Sequence, residues 1–131
     1  MGMALILGLL VCNIILKPQV ARIRPYNFQL QEYGREITLL VKGLNDYSFP
    51  SGHTIASFEA CTVLMLHDKR LGIPATILAI LIAFSRLYLY VHYPTDVLVS
   101  LVLGILFGIL GNLIVNAIYK KFVYKGKYIE E

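Results

Sequence analysis

Residues 94–118 read PTDVLVSLVLGILFGILGNLIVNAI, and no side chain between Val97 and Tyr119 is charged. A helix rises about 1.5 Å per residue, so this run crosses the roughly 30 Å hydrocarbon core of a bilayer. Pro94 stands at its head, where a missing N–H is tolerated and φ is already helical. This stretch makes the chain an integral membrane protein.

Working towards the N-terminus, three more apolar segments follow. One starts near Ile73, with Pro74 read as its start signal, and fades between Arg86 and Tyr93. The next, Thr54 to Leu66, opens after Pro50-Ser51-Gly52-His53 and ends at His67-Asp68-Lys69-Arg70. The first runs from Met1 to Leu16 and is broken by Lys17-Pro18. The Thr54 segment rises only about 20 Å. Either Lys69 and Arg70 snorkel from an extended helix, or its upper end lies in a protein-lined cavity. The first segment lacks a small-residue cleavage site, so it reads as a helix entered partway and not as a signal peptide. The expected fold is all-α: one polytopic membrane bundle over residues 1–131, with about four transmembrane helices and an interfacial active site. The connection from Arg24 to Pro50 reads as an ordered surface loop carrying one short amphipathic helix.

Composition agrees. Of 131 residues, 57% are hydrophobic and 15% charged, against about 25% charged in soluble domains. That excludes a disordered chain, a coiled coil and a disulfide mini-protein. Cys12 and Cys61 lie inside apolar runs and read as small hydrophobes, not as a disulfide or metal pair. The net charge of +4 could suit nucleic acid. No aromatic–basic RNA-binding pattern or zinc-ligand spacing supports that partner, so position must explain the charge.

Lys69, Arg70, Lys120, Lys121, Lys125 and Lys127 fall on one side of a four-span arrangement. Lys17, Arg22, Arg24, Arg35, Lys42 and Arg86 fall on the other, so a bare count of cations is tied. The second set mixes with His53, His92 and Asp96, which suggests recruitment for chemistry. The first is a plain flanking cluster. The C-terminus is therefore expected in the cytoplasm and the polar cluster outside, at the cell membrane.

Three polar patches meet at that outer face: Lys17 with Arg24-Pro25; Pro50-Ser51-Gly52-His53; and Ser85-Arg86 with His92 and Asp96. Singly, each has a bland reading. Lys17 and Arg24 could be interfacial snorkels, Ser51-Gly52 a helix entry, and either histidine an interfacial side chain. Arg86 is harder to dismiss, because an arginine beside a span is costly unless paired or at water. Together they make chemical sense. Three converging cations would hold a dianion, and free N–H groups at the start of a helix near Ser51-Gly52-His53 would add an anion site. Two histidines supply a nucleophile and a general acid, and Asp96 can fix the imidazole tautomer. No cluster has metal-ligand spacing, so neither metal nor cofactor is expected. The implied reaction is phosphoryl transfer to a histidine followed by hydrolysis.

The pattern resembles the superfamily of type-2 phosphatidic acid phosphatases and vanadium-dependent haloperoxidases. Its three-part signature is lysine, six residues, arginine-proline; proline-serine-glycine-histidine; and serine-arginine, five residues, histidine, three residues, aspartate. All eleven signature positions are present, in order, from Lys17 to Asp96. Asp46-Tyr47-Ser48-Phe49 and the residues from Tyr90 to Asp96 also look like short bacterial members. The resemblance implies that Lys17, Arg24 and Arg86 bind phosphate oxygens, helped by Ser51 and the backbone of Gly52. It implies that His92 attacks phosphorus, His53 protonates the leaving oxygen, Asp96 orients His92, and Ser85, Pro25 and Pro50 support the pocket. It also implies a membrane lipid phosphate as substrate: undecaprenyl diphosphate, phosphatidylglycerol phosphate or phosphatidate. Membrane members typically have about six helices. This chain begins at what looks like the third, so the preceding helices are expected to be missing.

Two other readings remain at this point. A vanadate-dependent haloperoxidase could use the same pocket, although that branch is soluble and larger. A non-catalytic membrane protein could retain the pocket for lipid-phosphate binding or transport. Glu59, inside the apolar second segment, is either a functional intramembrane carboxylate or a protonated or serine-paired one facing other helices.

Overall fold

The computed structural model describes residues 1–42, 44 and 46–127, with side chains as far as Phe122. Lys125 and Lys127 of the tail cluster thus lie outside the described side chains. Every regular element among the described residues is a helix.

The first helix does not break at Lys17-Pro18. Helix α1 (Gly2–Leu9) runs on through a π-helical stretch, Leu10–Leu16, into α2 (Lys17–Val20), which carries Pro18 in its first turn. A proline ring strikes the carbonyl four residues back in a regular α-helix, and the wider π turn just before Lys17 relieves that contact. The helix stops at Ala21, whose φ of 45° is left-handed. Arg24 is extended, as the residue before a proline prefers, and Pro25 opens α3 (Pro25–Tyr33), which Gly34 ends at φ 62°. That is the short helix expected in the connection. The apolar run Ile37–Val41 is irregular.

Helix α4 (Gly52–His67) does not extend to Lys69 and Arg70. A single extended residue, Asp68, links it to α5 (Lys69–Tyr88), and its carboxylate accepts the Arg70 N–H at 2.9 Å. Pro74 is therefore not the start of the third helix but lies inside α5. The Asp68 cap fixes the start earlier, and the hydrogen bond that Pro74 lacks falls near the polar helix end. Pro94 does open α6 (Pro94–Lys127).

Among the described residues, three stretches are long and apolar enough to cross a membrane: Gly2–Tyr33, Lys69–Tyr88 and Pro94–Phe122. Helix α4 has 16 residues, about 24 Å, and falls short of the hydrocarbon core. It packs against α1, α5 and α6. Close approach depends on missing side chains. A Cβ on Gly104 would stand 2.7 Å from Phe58 Cβ, and one on Gly72 would stand 2.4 Å from Met65 Cα. Without a hydrophobic drive between helices in lipid, such close packing is what holds them. Phe58, Cys61, Ala79, Ala83 and Val97 form the buried cluster. Cys12 and Cys61 are both free and buried, as small hydrophobes should be. The outward face of α5 (Ile77, Leu81, Phe84) is more than half exposed and suits acyl chains.

Candidate active site

The helix ends explain how distant patches meet. Lys17 lies at the end of the first helix, Gly52 and His53 at the start of α4, His92 in the turn after α5, and Asp96 in the first turn of α6. Alternating helix directions gather them at one end, opposite Asp68, Lys69 and Arg70. A cavity of about 760 Å³ opens there, lined by Lys17, Arg24, Asp46, Gly52, His53 and His92 among others.

Arg24 organises the site. It is buried, and its guanidinium donates to the Val91 carbonyl (2.8 Å), the Asp46 carbonyl (2.9 Å) and Asp46 Oδ1 (2.5 Å). Its Nη1 stands 3.4 Å from His92 Nε2, while His92 Nδ1 lies 2.7 Å from the Ser48 carbonyl. A guanidinium only donates and a carbonyl only accepts. The imidazole therefore carries its hydrogen on Nδ1 and leaves Nε2 unprotonated beside Arg24, on the cavity wall.

Asp96 does not make the hydrogen bond expected of it. Its carboxylate is fully buried, but Oδ2 stands 3.8 Å from His92 Nδ1 and accepts from the Tyr93 N–H at 3.0 Å. Oδ1 is held by Arg22 at 2.7 Å. The Ser48 carbonyl has taken the tautomer-setting place. Nor is Ser51 on the cavity wall. It occupies the N-cap position of α4, fully buried, with its hydroxyl 2.9 Å from Thr54 Oγ1 and its N–H donated to Ser100. No side chain caps the helix, and Gly52 and His53 at its start line the cavity, where uncapped N–H groups of a helix start suit an anion. Arg86 folds back on Ser85 Oγ, 3.2 Å from both Nε and Nη2, and also stands off the wall.

Three residues were missed as site members. Asp46 pairs with both Lys17 and Arg24. Burial pushes its carboxyl up, but hydrogen bonds and charge from Lys17 and Arg24 outweigh that and bring it down to about 2. Arg22 joins Asp96, and the Ser48 carbonyl holds His92. Asp46 and Ser48 lay in the flanking stretch noted for its likeness, and Arg22 lay among the unspecified residues between Lys17 and Arg24. Glu59 is buried, with Oε1 lacking a hydrogen-bond partner among the described residues, and a Cβ on Gly8 would collide with it at 2.0 Å. No serine pairs with it; the nearby Ser57 hydroxyl donates to the Thr54 carbonyl. Among the described residues, no three His, Cys, Asp or Glu side chains are grouped to share a metal ion.

The profile of the PAP2 superfamily matches residues 1–120. The chain belongs to that superfamily. It is 36% identical over 107 residues to an undecaprenyl-diphosphatase of Sulfolobus acidocaldarius, covering 79% of this chain and 50% of that one. Phosphatidylglycerophosphatase B of Bacillus subtilis is 35% identical over 105 residues, covering 72% of this chain and 46% of that one. The crystal structure of a transmembrane PAP2-type phosphatidylglycerolphosphate phosphatase from Bacillus subtilis superposes with a TM-score of 0.68 at 29% identity, over 88% of this chain and 57% of that one. The chain thus spans about half the length of these curated relatives. Both the family and the all-helical membrane class agree with the sequence reading.

Proposed function

We propose that this PAP2 domain is a phosphatase for membrane lipid phosphates and diphosphates, working through a phosphohistidine at the outer membrane face. The observation that carries this is the His92 ring. Ser48 holds its Nδ1–H, and its unprotonated Nε2 lies beside Arg24 on the wall of a cavity that Lys17 and His53 also line. Nε2 attacks phosphorus as the P–O bond to the lipid breaks, and His53 gives a proton to the departing oxygen. His53 then takes a proton from a water that attacks the phosphohistidine, releasing phosphate and restoring His92. Lys17, Arg24 and the N–H groups at the start of α4 hold the phosphoryl oxygens while charge shifts among them. Arg86 joins them on leaving Ser85. Asp96 stabilises the imidazolium as it forms. Relatives named for undecaprenyl diphosphate and phosphatidylglycerol phosphate favour such terminal phosphates on a lipid tail.

Because cations meet the phosphate charge here, hydrolysis of a short-chain lipid phosphate in detergent should survive excess EDTA. Vanadate, which copies the five-coordinate phosphoryl transition state, should inhibit. Loss of activity in EDTA with recovery in magnesium would overturn the mechanism, and tight phosphate binding without turnover would favour a binding protein.

Sidedness follows from charge. If the cations around the cavity serve substrate, the tail cluster with Lys120 and Lys121 sets orientation and lies in the cytoplasm. With Cys12 and Cys61 first replaced by alanine, a cysteine at exposed Gln31 should react with a membrane-impermeant thiol reagent in intact cells. One at exposed Lys121 should be protected. The reverse pattern would put the site at the inner leaflet.

A further inference from the structure

Arg22 touches both supports of the histidine without reaching the cavity wall. Its Nη1 donates to Asp96 Oδ1 and to Thr95 Oγ1, each at 2.7 Å, and its guanidinium lies 3.9 Å from the Tyr93 ring centroid. Its backbone carbonyl accepts the Ser48 N–H at 2.9 Å, fixing the residue whose own carbonyl holds His92 Nδ1. The side-chain link is open to test, because replacing the side chain leaves the backbone link in place.

The charges around His92 are unequal. Arg24 is in contact, Lys17 shares the cavity, and Arg86 lies on the helix just before; the imidazole of His53 lines the same cavity. Asp46 spends its charge on Lys17 and Arg24. Asp96 is the remaining carboxylate, fully buried and 3.8 Å from the ring. A buried carboxylate without a counter-charge is costly, and an opposite charge within about 4–6 Å favours the protonated form of a neighbouring imidazole. Without Arg22 the full Asp96 charge bears on His92, and an imidazole protonated at Nε2 has no lone pair there to attack phosphorus.

We propose that Arg22 is a positioning residue: by holding Asp96 Oδ1 it keeps the resting His92 neutral, and it leaves Asp96 to stabilise the imidazolium only when phosphoryl transfer creates it. This rests on the phosphohistidine reading for its purpose, but its test has a readout independent of turnover.

The chain has three histidines, so ring-nitrogen NMR of the full chain in detergent gives three pairs of signals, assigned by replacing His53 and His67 in turn. In Arg22→Gln, His92 should take up its second proton at a pH about one unit higher than in the parent, the low end for a nearby opposite charge. The acid limb of kcat/KM should move with it, and activity should recover at alkaline pH. Arg22→Lys, which keeps the charge but loses the fork and the stacking, should show a measurable upward shift less than half as large. Adding Asp96→Asn to Arg22→Gln should abolish the shift, as a coupled pair requires. An unmoved His92 titration in Arg22→Gln overturns the proposal, as does a shift that persists with Asp96→Asn. If Arg22→Gln does not fold, Arg22→Lys decides: a small upward shift supports the proposal and none overturns it. An inactive parent would count against the phosphatase reading, while the NMR shift would still judge Arg22.

Discussion

His92→Ala is expected to abolish turnover, with kcat down by about four orders of magnitude or more, as when a nucleophile is removed from other covalent hydrolases. No phosphoenzyme should form on any substrate. His53→Ala should behave differently, because its part is to protonate the leaving oxygen. With a lipid phosphate it should lose about 10²- to 10⁴-fold, the usual worth of a positioned acid–base group. With a nitrophenyl phosphate, whose leaving group departs without a proton, the first step should be largely retained and phosphoenzyme should accumulate. Acid-quenched phosphoenzyme and steady-state rates on both substrates separate the cases. Identical behaviour of the two variants on nitrophenyl phosphate would contradict the roles assigned from the cavity, where only His92 has its far nitrogen anchored by a carbonyl.

Much of this geometry is legible in the sequence, for physical reasons. The uncharged run after Asp96 could only be a membrane helix, and the signature patches sit at helix ends that alternate in direction. What stayed hidden was local hydrogen bonding. Pro74 looked like a start because proline favours first turns, yet Asp68, six residues earlier, satisfies an exposed N–H and starts the helix there. Pro18 looked like a break because nothing in the sequence announces a π turn. Asp96 looked like the hydrogen-bond partner of His92 because it follows four residues later in the signature. In the fold, Tyr90 takes a left-handed backbone conformation (φ 57°) and His92 sits in the turn before α6. That swings the ring towards the Ser48 carbonyl. A carbonyl partner leaves no trace in residue type, so sequence could not have nominated Ser48.

Asp46 was hidden for a different reason: it pairs with cations of the site and is no part of the signature. Its two carboxylate oxygens each take one of the cations, Lys17 and Arg24, that would hold phosphate. With its acidity strengthened to about 2, it stays ionised at any pH the membrane meets, and the tie is lost only as pH falls towards that value. An internal anion therefore sits on the two cations, and a phosphate bound there as proposed would have to displace it. Asp46→Asn should tighten inhibition by inorganic phosphate and by vanadate by about 10-fold, the equivalent of roughly 1.4 kcal/mol. Arg24→Ala should do the opposite and much more. It removes the fork to phosphate and also releases the Asp46 and Val91 carbonyls that frame the cavity. Loss of kcat/KM by about 10³-fold is expected, and Arg24→Lys should recover little, since a point charge cannot keep three directed bonds. Inhibition constants for phosphate measured across the three variants check both signs at once. If Asp46→Asn weakens phosphate binding as Arg24→Ala does, then Asp46 braces the cations for substrate and does not compete with it.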